Sequence, residues 1–347
     1  MKPGNIAFLG SGETSLAGGR IFEQLARQIN QPLRIAILET PAGFELNSAQ
    51  VAGKVAEFFR TRLSNYHPQV DVIAARKKGS AFSPDDPEVC APLLRANLIF
   101  MGPGSPTYTI RQLEGSLAWE LIRARHRMGA TLVFASAATI AVGTYALPVY
   151  EIYKVGQDVH TVPGLDFFAD LGTPLSIVPH WNNSDGGVDV DTSRCFVGME
   201  RFKDWCSRLP ADHTLLGLDE HTGIILDFTN RQCQVVGVSS VSLVRECNPS
   251  IHPAGSVFPL SDIGPMQEPE NDEQGIETAA WEMALAFANP KDTPQETPPE
   301  EVITLAQARQ AARACKDWST SDDLRRQISS LGWSVQDTAE GWNLERG

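Results

Sequence analysis

The chain has 347 residues, of which 42% are hydrophobic and 20% charged, with a formal charge of −13. That length suits one large domain with an appendage, and the acidic balance excludes a basic nucleic-acid footprint over the whole molecule, although not a local basic patch. Apolar runs such as Leu132–Phe134 and Ile224–Leu226 are strand-sized, far short of the roughly 20 residues that span a bilayer, and the start lacks a signal-peptide pattern; a soluble, cytoplasmic protein without membrane association is expected.

Ile6–Leu9 reads as a strand that ends at Gly10-Ser11-Gly12. A helix over Gly19–Ile29 follows, with Ile21, Phe22, Leu25, Ala26 and Ile29 on one face. The turn between them lacks the third glycine of a dinucleotide fingerprint, since Ser15 stands there, and reads as an ordinary strand-to-helix turn. Leu33–Leu38 is the second expected strand, Ala49–Leu63 a helix and Val70–Ala74 the third strand. Pro92–Ala96 is helix-like, Leu98–Met101 the fourth strand and Gln112–Met128 a helix. Thr131–Ala135 is a fifth strand that runs straight into Ser136. This alternation predicts a parallel sheet flanked by helices.

The second half changes character. Ser176–Val178, Leu215–Asp219, Gly223–Asp227, Cys233–Val238 and Val241–Arg245 read as short strands joined by tight turns. The expected fold over residues 1–248 is α/β, a doubly wound, mostly parallel sheet with antiparallel additions. Residues 249–301, rich in Pro, Gly and acid, read as a linker containing one helix at about 276–288, and Pro290–Glu301 is its least core-forming part. Residues 302–347 read as a small helical module, with helices at Leu305–Trp318 and Ser321–Leu331. The six cysteines (Cys90, Cys195, Cys206, Cys233, Cys247, Cys315) are scattered, with no C-x-x-C pair and no histidines at metal spacing. Most of them read as buried or inert thiols, and neither metal nor cofactor is expected.

Chemistry concentrates at strand ends. Phe134-Ala135-Ser136-Ala137-Ala138-Thr139 places a serine among small residues where a strand turns into a helix, which is what a nucleophile elbow requires. A serine there also suits a plain helix cap. Met101-Gly102-Pro103-Gly104-Ser105 follows another strand and permits close backbone approach. Pro179-His180-Trp181-Asn182-Asn183 sets a histidine at a third strand end, and Asp219-Glu220-His221-Thr222 sets an acid at a fourth. In a doubly wound sheet such ends are where ligands bind.

In order and spacing these segments resemble the dipeptidase E and cyanophycinase family of serine peptidases, which have a class I glutamine-amidotransferase-like fold; the resemblance runs from Asn5 to Arg245. It implies Ser136 as nucleophile and His180 as general base, with Glu220 favoured over Glu151 as the acid that orients the histidine. Gly102, Gly104, Ser105 and Ala137 would supply oxyanion contacts, and Asn182, Asn183 and Arg194 could line the pocket. The substrate implied is a small peptide or isopeptide, with acidic side chains as the family suggests. No cysteine occupies the elbow, so glutamine hydrolysis through a thiolate does not follow from the shared fold. Three departures stand out: Phe134 and Ala138 replace glycines of the family's elbow, and Pro103 has no amide proton to offer. Phe134 would have to point into the core.

The tail carries Ala308-Arg309, Lys316-Asp317-Trp318, Ser321-Asp322, Leu324-Arg325 and Gly332-Trp333 followed by Asp337-Thr338. This pattern is similar to the C-terminal module of cysteinyl-tRNA synthetases, and it implies contact with tRNA. A helix pair used for docking a protein partner or for self-association into a homo-oligomer fits equally. Two functions are therefore expected: a serine peptidase or amidohydrolase, or a binding protein on a hydrolase fold whose tail docks RNA or a partner.

Overall fold

The computed structural model describes residues 1–29, 31–267, 269–288, 298–315, 317–338 and 341–346. The chain divides into two units, Met1–Pro290 and Lys291–Gly347. The first opens with β1 (Ile6–Leu9), α1 (Leu16–Ala26), β2 (Arg34–Leu38), α2 (Ser48–Arg62) and β3 (Gln69–Ile73). It continues with α3 (Pro87–Cys90), β4 (Leu98–Met101), α4 (Pro106–Leu113), α5 (Leu117–Arg127) and β5 (Thr131–Ala135).

β1, β4 and β5 are buried at every position. Side chains alternate along a strand, so each of these strands feeds two cores. Ile6, Phe8, Ile99, Met101, Leu132 and Phe134 fill one. Ala7, Leu9, Leu98, Phe100, Val133 and Ala135 fill the other. Strands β1-β5-β4-β2-β3 run parallel, with Leu9 opposite Ala135 and Met101 opposite Phe134, so their carboxyl ends lie side by side.

After β5 come α6 (Ala137–Ala141), β6 (Tyr145–Ala146), α7 (Val149–Tyr153), β7 (Val162–Pro163), β8 (Leu175–Val178) and α8 (Gly198–Ser207). The unit ends with β9 (Thr214–Leu218), β10 (Thr222–Asp227), β11 (Gln232–Gly237), β12 (Ser240–Arg245), β13 (Asn248–Pro253), β14 (Val257–Pro259) and α9 (Thr278–Ala288). β10 joins β1 antiparallel, and β11 and β14 extend that edge to an eight-stranded sheet. The antiparallel additions do not all join the first sheet, however. β13-β12-β9-β8 form a separate four-stranded one.

Other expectations need correction. The helix expected over Gln112–Met128 is two, α4 and α5: Gly115 takes a φ of 61° and Ser116 caps α5 by accepting from the Trp119 amide, which starts a new helix. Residues 249–267 are not linker, because β13 pairs with β12 and β14 with β11. α9 also belongs to the first unit, burying Ala280, Trp281 and Ala284 in its core. Of the expected linker at Pro290–Glu301, residues 290–297 lie outside the described residues, and Glu300 and Glu301 form the first turn of α10 (Glu300–Ala314). The second unit also contains α11 (Trp318–Ser330) and a hairpin of β15 (Trp333–Thr338) and β16 (Gly341–Arg346). It is thus not purely helical: Trp333 and Val335 of the hairpin close a small core with Val302, Ala306 and Ile328. Two cysteines are not free thiols, since Cys206 and Cys247 form a disulfide. Among the described residues no helix is long and apolar enough to cross a membrane.

Candidate active site

β5 ends directly in Ser136, whose backbone takes φ 51° and ψ −117°. L-residues rarely adopt this region, at a cost of about 1–3 kcal/mol, and it persists only where the surroundings enforce it. Here they do. The Ser136 amide donates to the Leu9 carbonyl of β1 at 3.2 Å, and its carbonyl accepts from the Thr139 hydroxyl at 2.6 Å. Ala135, Ala137 and Ala138 are all buried, so larger side chains would have no room. Phe134 fits because it projects to one face of the sheet, where its ring stacks on Phe8 at 5.7 Å and meets Phe167 at 6.3 Å.

His180 follows β8, also with a positive φ of 48°. Its amide donates to the Gly10 carbonyl at 3.2 Å, so the end of β1 holds both the serine and the histidine. His180 Nε2 lies 2.9 Å from Ser136 Oγ. His180 Nδ1 lies 2.8 Å from Glu220 Oε1. Glu220 sits in the turn from β9 to β10, fixed by its amide donating to Asn182 Oδ1 at 2.8 Å. Asn183 Nδ2 donates to the same Oε1 at 3.0 Å. Partial burial pushes the Glu220 carboxyl up, but the hydrogen bonds from Asn183 and His180 outweigh it and leave the group below its usual range. Ser136, His180 and Glu220 thus form one hydrogen-bonded chain, and the two asparagines position its acid.

Glu151 is not part of that chain. Its Oε1 accepts from the Thr107 hydroxyl at 2.6 Å, and Thr107 lies 3.1 Å from the Ser105 hydroxyl. Glu151 Oε2 is buried without a hydrogen-bond partner among the described residues. Of the two acids weighed from the sequence, Glu220 is the one at the histidine.

The Gly-rich turn needs its second glycine. Gly104 has a φ of 151°, and a Cβ there would lie 1.9 Å from the Pro41 carbonyl oxygen. The Ser105 amide does not serve an oxyanion, since it donates to the Pro41 carbonyl at 2.9 Å, and the Ser105 hydroxyl caps α4 by accepting from the Tyr108 amide at 3.2 Å. The amides of Gly102, Gly104 and Ala137 donate to no protein group among the described residues. Asp219 serves the scaffold, accepting from the Ser239 and Ser240 hydroxyls at 2.7 Å each.

Sequence reasoning missed two contributors. One is the Leu9-Gly10 end of β1, whose carbonyls no side-chain motif could reveal. The other is the backbone of the run Arg194-Cys195-Phe196, of which the sequence offered only the Arg194 side chain, with φ of 59°, 60° and 68°. Its amides at 194 and 195 donate to the carbonyls of Trp181 (3.0 Å) and His180 (3.1 Å), so the loop wraps the histidine. The Arg194 guanidinium stacks over Trp181 at 4.0 Å and donates to its carbonyl at 2.6 Å. A cavity of about 500 Å³ lies at the opposite end of the sheet, lined by Asn5, Asn97 and Thr131 among others, away from this constellation.

No known protein-family profile matches the chain. Its fold is similar to the crystal structure of a peptidase from an acI-B1 Actinobacterium, with a TM-score of 0.60 and 19% identity, over 74% of this chain and 97% of that one. Part of the sequence is similar to cysteine–tRNA ligases. It is 50% identical over 52 residues to that of Methanosarcina acetivorans, covering 15% of this chain and 11% of the ligase. It is 33% identical over 91 residues to that of Opitutus terrae, covering 26% and 19%. The chain therefore spans less than a fifth of the length of these two ligases.

Proposed function

We propose that the first unit is a serine peptidase or amidohydrolase that cleaves small peptide or isopeptide amides through an acyl-enzyme on Ser136. The hydrogen-bonded chain Ser136–His180–Glu220, with the serine on a strained strand-to-helix turn, carries this reading. Ser136 Oγ attacks the scissile carbonyl carbon while His180 Nε2 takes its proton. Glu220 holds the Nδ1 proton and stabilises the imidazolium that forms. The amides of Ala137 and of Gly102 or Gly104, which donate to no protein group among the described residues, would supply the oxyanion contacts. The tetrahedral adduct collapses, the C–N bond breaks, and His180 gives its proton to the leaving amine. Water, deprotonated by His180, then attacks the Ser136 ester and releases the acid. Fluorophosphonate labelling tests the assignment: the wild type should label and Ser136→Ala should not, and equal labelling would refute it.

A second reading concerns the Lys291–Gly347 unit. We infer that it docks RNA, as the likeness to cysteine–tRNA ligases suggests. Trp318, 55% exposed with the Arg313 guanidinium 5.6 Å over its ring, offers a platform of the kind on which bases stack. Full-length chain should bind tRNA with an affinity that falls with salt, and a chain ending at Ala288 should not. No salt-sensitive binding by the full chain rejects this reading.

A further inference from the structure

Three consecutive residues other than glycine in left-handed backbone, Arg194, Cys195 and Phe196, are costly in any chain, and such strain gathers where a side chain must be aimed. The result here is that the Phe196 ring lies 5.4 Å from the His180 imidazole, and the Tyr153 ring lies 5.8 Å from Phe196. On the side of the Gly-rich turn stands a second aromatic pair, Phe44 and Tyr108, with ring centroids 5.2 Å apart. Tyr153 and Phe44 are 44% and 47% exposed, so these two do not serve to fill the core, whereas Tyr108 is buried and Phe196 is half-buried.

The cations near these rings stack on aromatic faces other than that of Phe196. Arg194, in the loop that wraps the histidine, stacks on Trp181 and donates from Nη1 to the Trp181 carbonyl, while its Nε is buried without a hydrogen-bond partner among the described residues. Arg111 and Lys154 stack over Tyr108 and Tyr150, and among the described residues none stacks on Phe196.

We propose that Phe196, backed by Tyr153, forms an aromatic wall at the catalytic histidine and makes the enzyme select amides flanked by an aromatic or large apolar side chain over those flanked by an acidic one. This rests on the hydrolase reading above. A substrate ring laid against Phe196 covers apolar surface that water otherwise wets, whereas a carboxylate there loses hydration against a ring on which no cation stacks among the described residues.

The test measures kcat/KM for Phe-Gly, Gly-Phe, Asp-Gly and Gly-Asp by amine release, in wild type, Tyr153→Ala and Phe196→Asn. Asparagine tolerates the left-handed backbone at 196, and Tyr153 is exposed on a helix, so the two variants guard each other against misfolding. The better Phe dipeptide should exceed the better Asp dipeptide by about tenfold or more, and that ratio should fall by about tenfold in the variants. A wild-type preference for Asp, or a ratio that neither variant moves, overturns the proposal. Fluorophosphonate labelling of the same preparations separates the two claims. Labelling at Ser136 with an Asp preference overturns the aromatic wall alone, and no labelling at Ser136 overturns the hydrolase reading with it.

Discussion

Glu220→Gln probes the arrangement most finely, because it keeps the size of the side chain and removes its charge. In the wild type, Glu220 Oε1 accepts from both His180 Nδ1 at 2.8 Å and Asn183 Nδ2 at 3.0 Å. A glutamine oxygen in the same place still accepts both, so the imidazole keeps its orientation. What is lost is the negative charge facing the imidazolium that forms when Ser136 is deprotonated. In triads of this kind, neutralising the acid costs up to about 10⁴ in rate, or roughly 5 kcal/mol at about 1.4 kcal/mol per decade. Glu220 is partly exposed, with a side-chain exposure of 29%, so the expected loss is smaller, on the order of 10²–10³. The assay is the second-order rate of fluorophosphonate labelling at pH 7.5, which reads the nucleophilicity of Ser136 without a known substrate. Glu151→Gln, which touches Thr107 and not His180, should slow labelling by less than about tenfold. Labelling of Glu220→Gln within threefold of wild type, or a larger loss in Glu151→Gln, would refute the assignment of the acid. The sign of the stability effect is also fixed. The folded carboxyl titrates below its unfolded range, so its contribution is present above about pH 4.3 and lost as pH falls through the folded value. The stability gap between wild type and Glu220→Gln should therefore close in acid.

Other outcomes follow from the same geometry. His126 is buried with its pKa lowered to about 3, chiefly by desolvation. The unfolded imidazole binds a proton near pH 6.5 and the folded one does not, so stability is complete above that pH. Below it, urea unfolding should weaken by up to about 1.4 kcal/mol per pH unit, and His126→Phe should flatten that slope. Gly104→Ala should destabilise by more than about 2 kcal/mol in the same assay, because the new Cβ meets the Pro41 carbonyl at 1.9 Å; a variant of wild-type stability contradicts that close approach. Denatured but unreduced chain should titrate four thiols rather than six, since only Cys90, Cys195, Cys233 and Cys315 are free. The disulfide closes 41 residues of chain, and its reduction should cost up to about 4 kcal/mol.

Most of the parallel half of the fold was legible because β1, β2, β4 and β5 are covered on both faces and so read as short, nearly unbroken apolar runs. β13 and β14 were hidden for the opposite reason. Pro249, Pro253 and Pro259 look like linker, yet these strands are sheet edges, where a missing amide proton breaks no ladder. Ser136, His180 and Glu220 were all readable as polar residues at strand ends. The choice between Glu220 and Glu151 was not, since it depends on how the β9–β10 turn meets the end of β8, a contact between elements that spacing along the chain does not encode. The left-handed run at Arg194–Phe196 left no trace either, because glycine is the usual marker of that backbone and none is present. The Cys206–Cys247 pairing escaped for a similar reason: separation in sequence says nothing about which thiols meet.

The central claim is that Ser136 becomes acylated. Wild-type protein mixed with p-nitrophenyl acetate, quenched in acid and mapped by tandem mass spectrometry should carry the acetyl group on the peptide containing Ser136, and His180→Ala should carry far less. An acetyl group found instead on another nucleophile such as the exposed Cys315, or none at all, would contradict the account.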